Sequence, residues 1–320
     1  VVSARGSRTS AAAGFTIGLD LGGTDLKAAL VAPDGTLTGF RSWPSRARES
    51  EAAPLEVMAA AALELRREAD APVGAVGLGC PGVIDPLTGA LVGRTPHLPH
   101  WDSLPLRERL AARLGADVVV ENDANMAALA EHRAGAARGA RVSLTITIGT
   151  GVGCGIVGEC GLVRGAHGGA GEIGHLPLDG RYPCRCGVPG CVEPECSGSG
   201  LVARAREAGL DVNDAAAVFA ARAAGDERAA RLIERMTDRL GALIGAAVQL
   251  LDPEVVVIGG GVANAGETLL EPLRAAVRRY ALESHARTLR VVPAELGGRA
   301  GTVGAGLAAW DLARGPAARD

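Results

Sequence analysis

The stretch Phe15–Leu37, FTIGLDLGGTDLKAALVAPDGTL, decides the fold. Apolar residues lead to Asp20, the chain turns through Gly22 and Gly23, a second strand follows, and Asp34-Gly35 turns it again. This is the pattern of a strand meander with a glycine-rich first hairpin. Ser143–Val163, SLTITIGTGVGCGIVGECGLV, repeats the device: a Thr/Ile strand ends at Gly149, turns through Gly151 and Gly153, and resumes before another glycine turn. An ordinary hairpin explains either stretch alone. Two of them, roughly one domain length apart, predict two related lobes.

Helical patterns lie between and after the meanders. Pro54–Glu68 is rich in Ala and Leu, and Leu106, Leu110 and Leu114 mark one face of a helix over 104–114. Ala124–Arg133 reads as another. Leu240, Leu243, Ile244, Ala247, Val248 and Leu251 follow the 3.6-residue period of a buried helix. Asp252-Pro253 should end it, because proline cannot continue a helix and restricts the residue before it. EVVVIGGGV, 254–262, is then a buried strand running into a glycine turn. Strands and helices interleave, so the class is α/β.

The 320 residues are enough for two lobes with substantial cores. A net charge of -3 argues against a dedicated nucleic-acid or membrane surface, and the apolar runs are broken well short of a membrane span. The first fourteen residues lack the apolar core of a signal peptide and read as a disordered tail. A cytoplasmic, reducing setting is therefore expected, in which seven cysteines are no disulfide framework. The single lysine is Lys27.

Chemistry gathers at three places. In DLGGT, Asp20–Thr24, Gly22 and Gly23 let backbone N–H groups approach phosphate, Thr24 offers a hydroxyl, and Asp20 can hold hydrated Mg²⁺. A tight hairpin is the plainer alternative. Gly149, Thr150 and Gly151, with Gly259, Gly260 and Gly261, add further turns after apolar strands, which together could line a nucleotide site. In VVVENDAN, 118–125, three β-branched residues deliver Glu121, Asn122 and Asp123 at a strand-to-helix junction, where α/β sheets commonly bind ligands. Helix capping by Asn122 or Asp123 is the alternative there.

The third place is GHLPLDGRYPCRCGVPGCVE, 174–193, in which His175, Cys184, Cys186 and Cys191 are spaced H-x8-C-x-C-x4-C. Zinc takes four N/S ligands tetrahedrally, and four protein ligands close the site to Lewis-acid chemistry. A redox pair would need C-x-x-C beside a βαβ unit. Structural zinc is the expectation, with Cys196 as a spare sulfur.

DLGGT, ENDAN, ITIGTGVGCGIV, GAGEIGH, CRCGVPGCVE and VIGGGV occur in this order and resemble the ROK family of bacterial sugar kinases and related repressors. The resemblance covers Phe15 to about Leu312, and the cysteine spacing is the one the family's glucokinases typically carry. It implies an actin-like, hexokinase-like ATPase fold with ribonuclease H-like lobes. The lobes would be 15–125 plus about 300–320, and 126–299 with a zinc loop over 175–191. It implies transfer of the γ-phosphoryl of Mg·ATP to a hexose 6-hydroxyl, glucose first, with Asp123 as the base. Fructose, mannose, N-acetylmannosamine and N-acetylglucosamine are the neighbouring acceptors. Asn122, Glu172, His175 and Glu193 would bind the sugar with Asp123, and Gly82 would line its pocket; His175 would also hold zinc. It further implies a homodimer or homotetramer.

The pattern departs from the family in three places. Asp25 stands where a lysine is common, and strand alternation puts Asp25 and Lys27 on one face, so Lys27 is assigned to phosphate or to pairing with Asp25. His97 stands where glucokinases usually have Asn, in a loop expected to border the sugar. Pro194, after Glu193, should shift the next helix. The family's repressors carry an N-terminal helix-turn-helix extension, for which the residues before the first strand are too few. A zinc-stabilised sugar-binding protein without turnover is the third alternative.

Overall fold

The computed structural model describes residues 14–314, so the tail expected over 1–14 lies, but for Gly14, outside the described residues. The chain divides into two compact units, crossing from the first to the second after Asp123 and back after Ala300. Chain order is β1 (Phe15–Leu21), β2 (Asp25–Val31), β3 (Leu37–Pro44), α1 (Ala52–Glu68), β4 (Val73–Cys80), β5 (Val83–Ile84), β6 (Leu91–Val92), α2 (Leu106–Leu114), β7 (Val118–Asn122) and α3 (Asp123–Ala134). Next come β8 (Ser143–Ile148), β9 (Val152–Gly158), β10 (Gly161–Leu162), α4 (Glu193–Cys196), α5 (Gly198–Glu207), α6 (Ala215–Ala223) and α7 (Glu227–Leu251). The rest is β11 (Val255–Gly259), α8 (Glu267–Tyr280), α9 (Glu283–Ala286), β12 (Arg290–Pro293) and α10 (Ala300–Arg314).

The first unit is a five-stranded sheet in the order β3-β2-β1-β4-β7. β1, β2 and β3 form the antiparallel meander, and β4 and β7 extend it in parallel. The first hairpin closes where the Gly22 N–H donates to the Asp25 carbonyl at 2.8 Å. Side chains alternate along β1, so its two faces do different things. Ile17, Leu19 and Leu21 pack into a core with Leu55, Met58 and Leu65 of α1 and Leu110 of α2. The opposite face carries Thr16, Gly18 and Asp20, and α10 lies against it.

That helix approaches the sheet more closely than any side chain permits. A Cβ on Gly18 would lie 2.0 Å from the Thr302 carbonyl oxygen, and one on Gly77 of β4 only 1.8 Å from that of Ala305. Thr16 Oγ1 donates to Gly306 at 2.8 Å, and Trp310 Nε1 to Val31 at 3.0 Å, which satisfies polar groups in the tight layer.

The second unit repeats the scheme in the order β10-β9-β8-β11-β12. β8, β9 and β10 form the meander; β11 and β12 continue in parallel beyond β8. The duplication expected from the two glycine hairpins is thus present in the sheets. The core gathers Ile146 and Ile148 of β8, Ile258 of β11 and a full stripe of α7, including Leu240, Leu243, Ile244 and Val248. α7 starts at Glu227, well before the periodic stretch, because Asp226 caps it by accepting the N–H groups of Arg228 and Ala229.

Two proline positions differ from expectation. Pro253 should hold its predecessor extended, yet Asp252 is left-handed at φ 44°, donating its N–H to Val248 at 2.9 Å. The helix C-cap wins, since aspartate tolerates that conformation better than most residues. Pro194 sits in the first turn of α4, where a missing N–H is harmless. The chain breaks at Ser197, whose Oγ accepts the Gly200 N–H at 3.0 Å and starts α5, so the short α4 precedes the longer helix. Among the described residues no helix is long and apolar enough to cross a membrane.

The glycine layer yields a stability prediction. Gly77→Ala should lower unfolding free energy by about 2 kcal/mol or more through overpacking against α10. Gly149→Ala, with nothing within 4 Å of the new Cβ, should stay within about 0.5 kcal/mol of the parent. Urea unfolding of both variants checks the contrast.

Candidate active site

Strand register assembles the first group of residues. Asp20 on β1 is level with Gly79 on β4, which is level with Glu121 on β7, so three parallel carboxyl ends share one edge. Asn122 and Asp123 follow at that edge. The buried Glu121 carboxylate accepts the Asn122 N–H at 2.9 Å, and Asn122 Nδ2 donates to the Gly82 carbonyl at 3.2 Å. Gly82, at φ 105°, has Leu91 Cδ1 only 2.8 Å from where a Cβ would stand, so the turn needs glycine twice over. Asp123 opens α3, where the peptide dipoles favour a carboxylate.

Asp20 is the electrostatic centre of this edge. Burial, then the charge of Asp123, raises its carboxyl to about 6, and Lys27 pulls partly the other way. Lys27 is its cross-strand partner on β2. α10 begins against the carboxylate: a Cβ on Gly301 would lie 2.5 Å from Asp20 Cγ. Thr24 is exposed at the hairpin tip, and beside it Gly23 packs on His97, whose carbonyl oxygen and Nδ1 lie 3.2 and 3.5 Å from a Cβ built there. His97 was expected in a loop bordering the sugar; the structure sets it against the glycine hairpin.

In the second unit, β8 and β11 run parallel with Thr147 level with Gly259, so their following glycine turns are neighbours. Gly260, at φ 82°, lies over the end of β8, where a Cβ would meet the Ile148 carbonyl at 2.4 Å. Gly149 and Gly261 have open space around them. The hairpin is pinned from outside. Gly198 N–H donates to Gly149 at 2.7 Å, Ser199 Oγ to Thr150 at 2.5 Å, and the Val152 N–H reaches Glu193 Oε2 at 3.0 Å. Gly151 makes room for that carboxylate, which would lie 2.6 Å from a Cβ.

The ligand atoms of His175, Cys184, Cys186 and Cys191 all fall within 4.8 Å of one another. His175 Nδ1 is 3.4 Å from Cys191 Sγ and 3.8 Å from Cys184 Sγ. Tetrahedral zinc bonds of about 2.3 Å to sulfur and 2.0 Å to nitrogen require edges of roughly 3.5–3.8 Å, so the residues fit that ion. The Val188 N–H points at Cys186 Sγ, 3.4 Å away. Burial pushes Cys191 up to about 12, so its sulfur is a thiol unless a cation compensates. Cys196 is outside the cluster, buried in the core of its unit. Because Nδ1 faces the sulfurs, Nε2 faces outward, 3.8 Å from Glu172 Oε2. Cys184 Sγ is also 3.8 Å from Glu193 Oε1, which links the cluster to the pinned hairpin.

Within the first unit, then, Gly82, Asn122 and Asp123 adjoin, with Asp20 and Lys27 paired beside them. Within the second, Glu172, His175 and Glu193 surround the cysteine cluster, and the two glycine turns are adjacent. Sequence reasoning missed Ser199, Glu195, Arg235 and Arg239; an acid between a proline and a cysteine gives no hint.

The sequence profile of the ROK family matches residues 16–311. A glucokinase of Halalkalibacterium halodurans is 36% identical over 91% of this chain and 93% of its own length. The N-acetylmannosamine kinase of Escherichia coli K12 is 35% identical over 92% of this chain and 98% of its own. The crystal structure of a ROK family glucokinase from Streptomyces griseus, in complex with glucose and AMPPNP, superposes with a TM-score of 0.80 at 33% identity, covering 93% of this chain and 99% of that one. The fold is accordingly the mixed α/β, actin- and hexokinase-like ATPase fold of that family.

Asp20 supplies a pH prediction. Its carboxyl titrates at 3.8 unfolded and about 6 folded, so the proton favours the fold. That contribution is complete below 3.8 and is lost as pH rises through about 6. Asp20→Asn should therefore be more stable than the parent at pH 8 by up to roughly 3 kcal/mol, with the gap closing toward pH 4. Urea unfolding across that range measures it; a gap independent of pH would assign the strain to another group.

Proposed function

This chain belongs to the ROK family and is an ATP-dependent sugar kinase, and on that premise we propose that it phosphorylates the 6-hydroxyl of glucose with Asp123 as general base. The observation that carries the proposal is the edge shared by Asp20, Asn122 and Asp123, with Asn122 fixed to Gly82. A carboxylate at a helix N-terminus faces the positive end of the peptide dipoles and can accept a proton from a hydroxyl held against it.

In the proposed reaction Asp123 takes the 6-hydroxyl proton as O6 bonds to the γ-phosphorus, and the bond to the β-phosphate oxygen breaks to release ADP. Asn122 and the Gly82 turn orient the acceptor. Gly22, Gly23, Thr24, Gly149, Thr150, Gly151, Gly259, Gly260 and Gly261 offer backbone and hydroxyl contacts to phosphate, and Lys27 a positive charge. Asp20 would hold hydrated Mg²⁺, which when bound neutralises phosphate charge. Glu172, His175 and Glu193 bind sugar hydroxyls. His175 Nδ1 faces the cysteine sulfurs, so a metal held there would leave the ring proton on Nε2, from which His175 would donate to the sugar. His175, Cys184, Cys186 and Cys191 would hold structural zinc, which closes the loop and does no bond chemistry.

A second acceptor class, N-acetylmannosamine or N-acetylglucosamine, is favoured by the nearly equal identity to the E. coli N-acetylmannosamine kinase. Mannose and fructose complete the set. We assign the enzyme to the cytoplasm as a homodimer or homotetramer, with lobes at 15–125 plus about 300–320 and at 126–299.

A sugar panel with Mg·ATP should give glucose the largest kcat/KM; a larger value for an acetamido sugar transfers the assignment to the second class. Asp123→Asn should cut kcat by about 10²–10⁴ while glucose still binds by calorimetry. Near-parental turnover would put the base elsewhere. Cys186→Ser should lower zinc per chain on elemental analysis, and unchanged stoichiometry refutes the ligand set.

A further inference from the structure

Glu195 lies two residues beyond Glu193 on α4, and its carboxylate is 3% exposed. Its two oxygens have separate tasks. Oε2 accepts Arg235 Nε of α7 at 2.9 Å, and Arg235 Nη2 stands 2.9 Å from the same oxygen as an ion-pair contact without hydrogen-bond geometry. Oε1 accepts the backbone N–H of Arg181 at 2.7 Å. One turn along α7, Arg239 donates to the Leu178 carbonyl and faces Asp179 at 3.6 Å.

Further contacts hold the same arm of chain, 178–182, which joins His175 to Cys184. Gly180 N–H donates to Gly190 at 2.8 Å, and a Cβ on Gly180 would stand 2.1 Å from the Cys191 carbonyl. The Arg204 guanidinium of α5 lies over the Tyr182 ring at 3.6 Å. None of these contacts requires a metal. The carboxylate is buried while the Arg235 side chain is 37% exposed, and such a pair is a weak source of stability, because desolvating the carboxylate offsets much of the attraction. Its value here is positional: two leucines could fill the space, but the Arg181 N–H would then have no acceptor.

Resting on the metal and sugar roles proposed above, we infer that Glu195 is a positioning residue. Through Arg235 and the Arg181 N–H it fixes the arm against α4, and so sets Cys184 at the metal site and the Glu193 carboxylate at the sugar. Contacts that hold the arm in register independently of a metal lower the ordering cost of binding one.

Three variants test this: Glu195→Gln, Glu195→Leu, and Glu195→Leu combined with Arg235→Leu. Readouts are the rate of zinc transfer to a chromogenic chelator, glucose KM and kcat, and unfolding temperature. The double variant should unfold near the parental temperature yet release zinc about tenfold faster, as loss of a supporting contact does at metal sites. Its glucose KM should rise about tenfold with kcat within about twofold. Glu195→Gln keeps an amide oxygen for the Arg181 N–H and should fall between parent and Glu195→Leu. Parental zinc release and KM in all three, with only unfolding temperature changed, overturns the inference. A parent chain that holds no zinc refutes the metal assignment instead, and KM alone then decides. A parent inactive on every hexose refutes the kinase proposal, and zinc release then decides.

Discussion

Carboxylates forced together at the ends of parallel strands are the constraint on which the rest of this molecule depends. The register of β1, β4 and β7 brings Asp20 to the edge at which Asn122 ends and Asp123 follows, and the charge of Asp123 disfavours that of Asp20. Asp20 records the tension as a carboxyl raised to about 6. A sheet tuned only for stability would not retain it. In the proposed reaction a cation at this edge, and a hydroxyl proton that needs an acceptor, would turn the same tension into binding and catalysis. The helix that closes the first unit respects the arrangement, since α10 passes Asp20 at a glycine.

The second unit meets a different problem, which is to hold a loop of glycine, proline and cysteine in one conformation. Such a loop has little apolar surface with which to offset its ordering entropy. The cluster of His175, Cys184, Cys186 and Cys191, the Arg235–Glu195 pair and the bonds from α5 to the Gly149 hairpin share that work. Glu193 sits where they meet, with one oxygen near Cys184 and the other on the Val152 N–H. Cysteine loop and glycine hairpin are therefore mechanically one body.

What was legible in the sequence follows from the range of the forces involved. Strand alternation, glycine turns and the H-x8-C-x-C-x4-C spacing are local, and the duplicated meander and the four-ligand cluster were read from them. The contact of Gly18 and Gly77 with α10 joins residues hundreds of positions apart, so no window along the chain contains it. Glu195 looks like a solvent-facing acid until α7 brings Arg235 to it. Asp252 shows the limit of a local rule, because the end of α7 overrode the preference set by Pro253. His97 is a similar case: a loop residue drew its neighbour, Gly23, from tertiary packing.

The central claim is that this charged edge serves phosphoryl transfer to a primary hydroxyl of a hexose. Phosphorus NMR of the product formed from Mg·ATP and glucose tests it most directly. Phosphate on O6 couples to the two protons of C6, so the account predicts a phosphomonoester resonance split as a triplet, growing in step with ADP. A resonance coupled to a single ring proton, or ADP accompanied by inorganic phosphate alone, would contradict it.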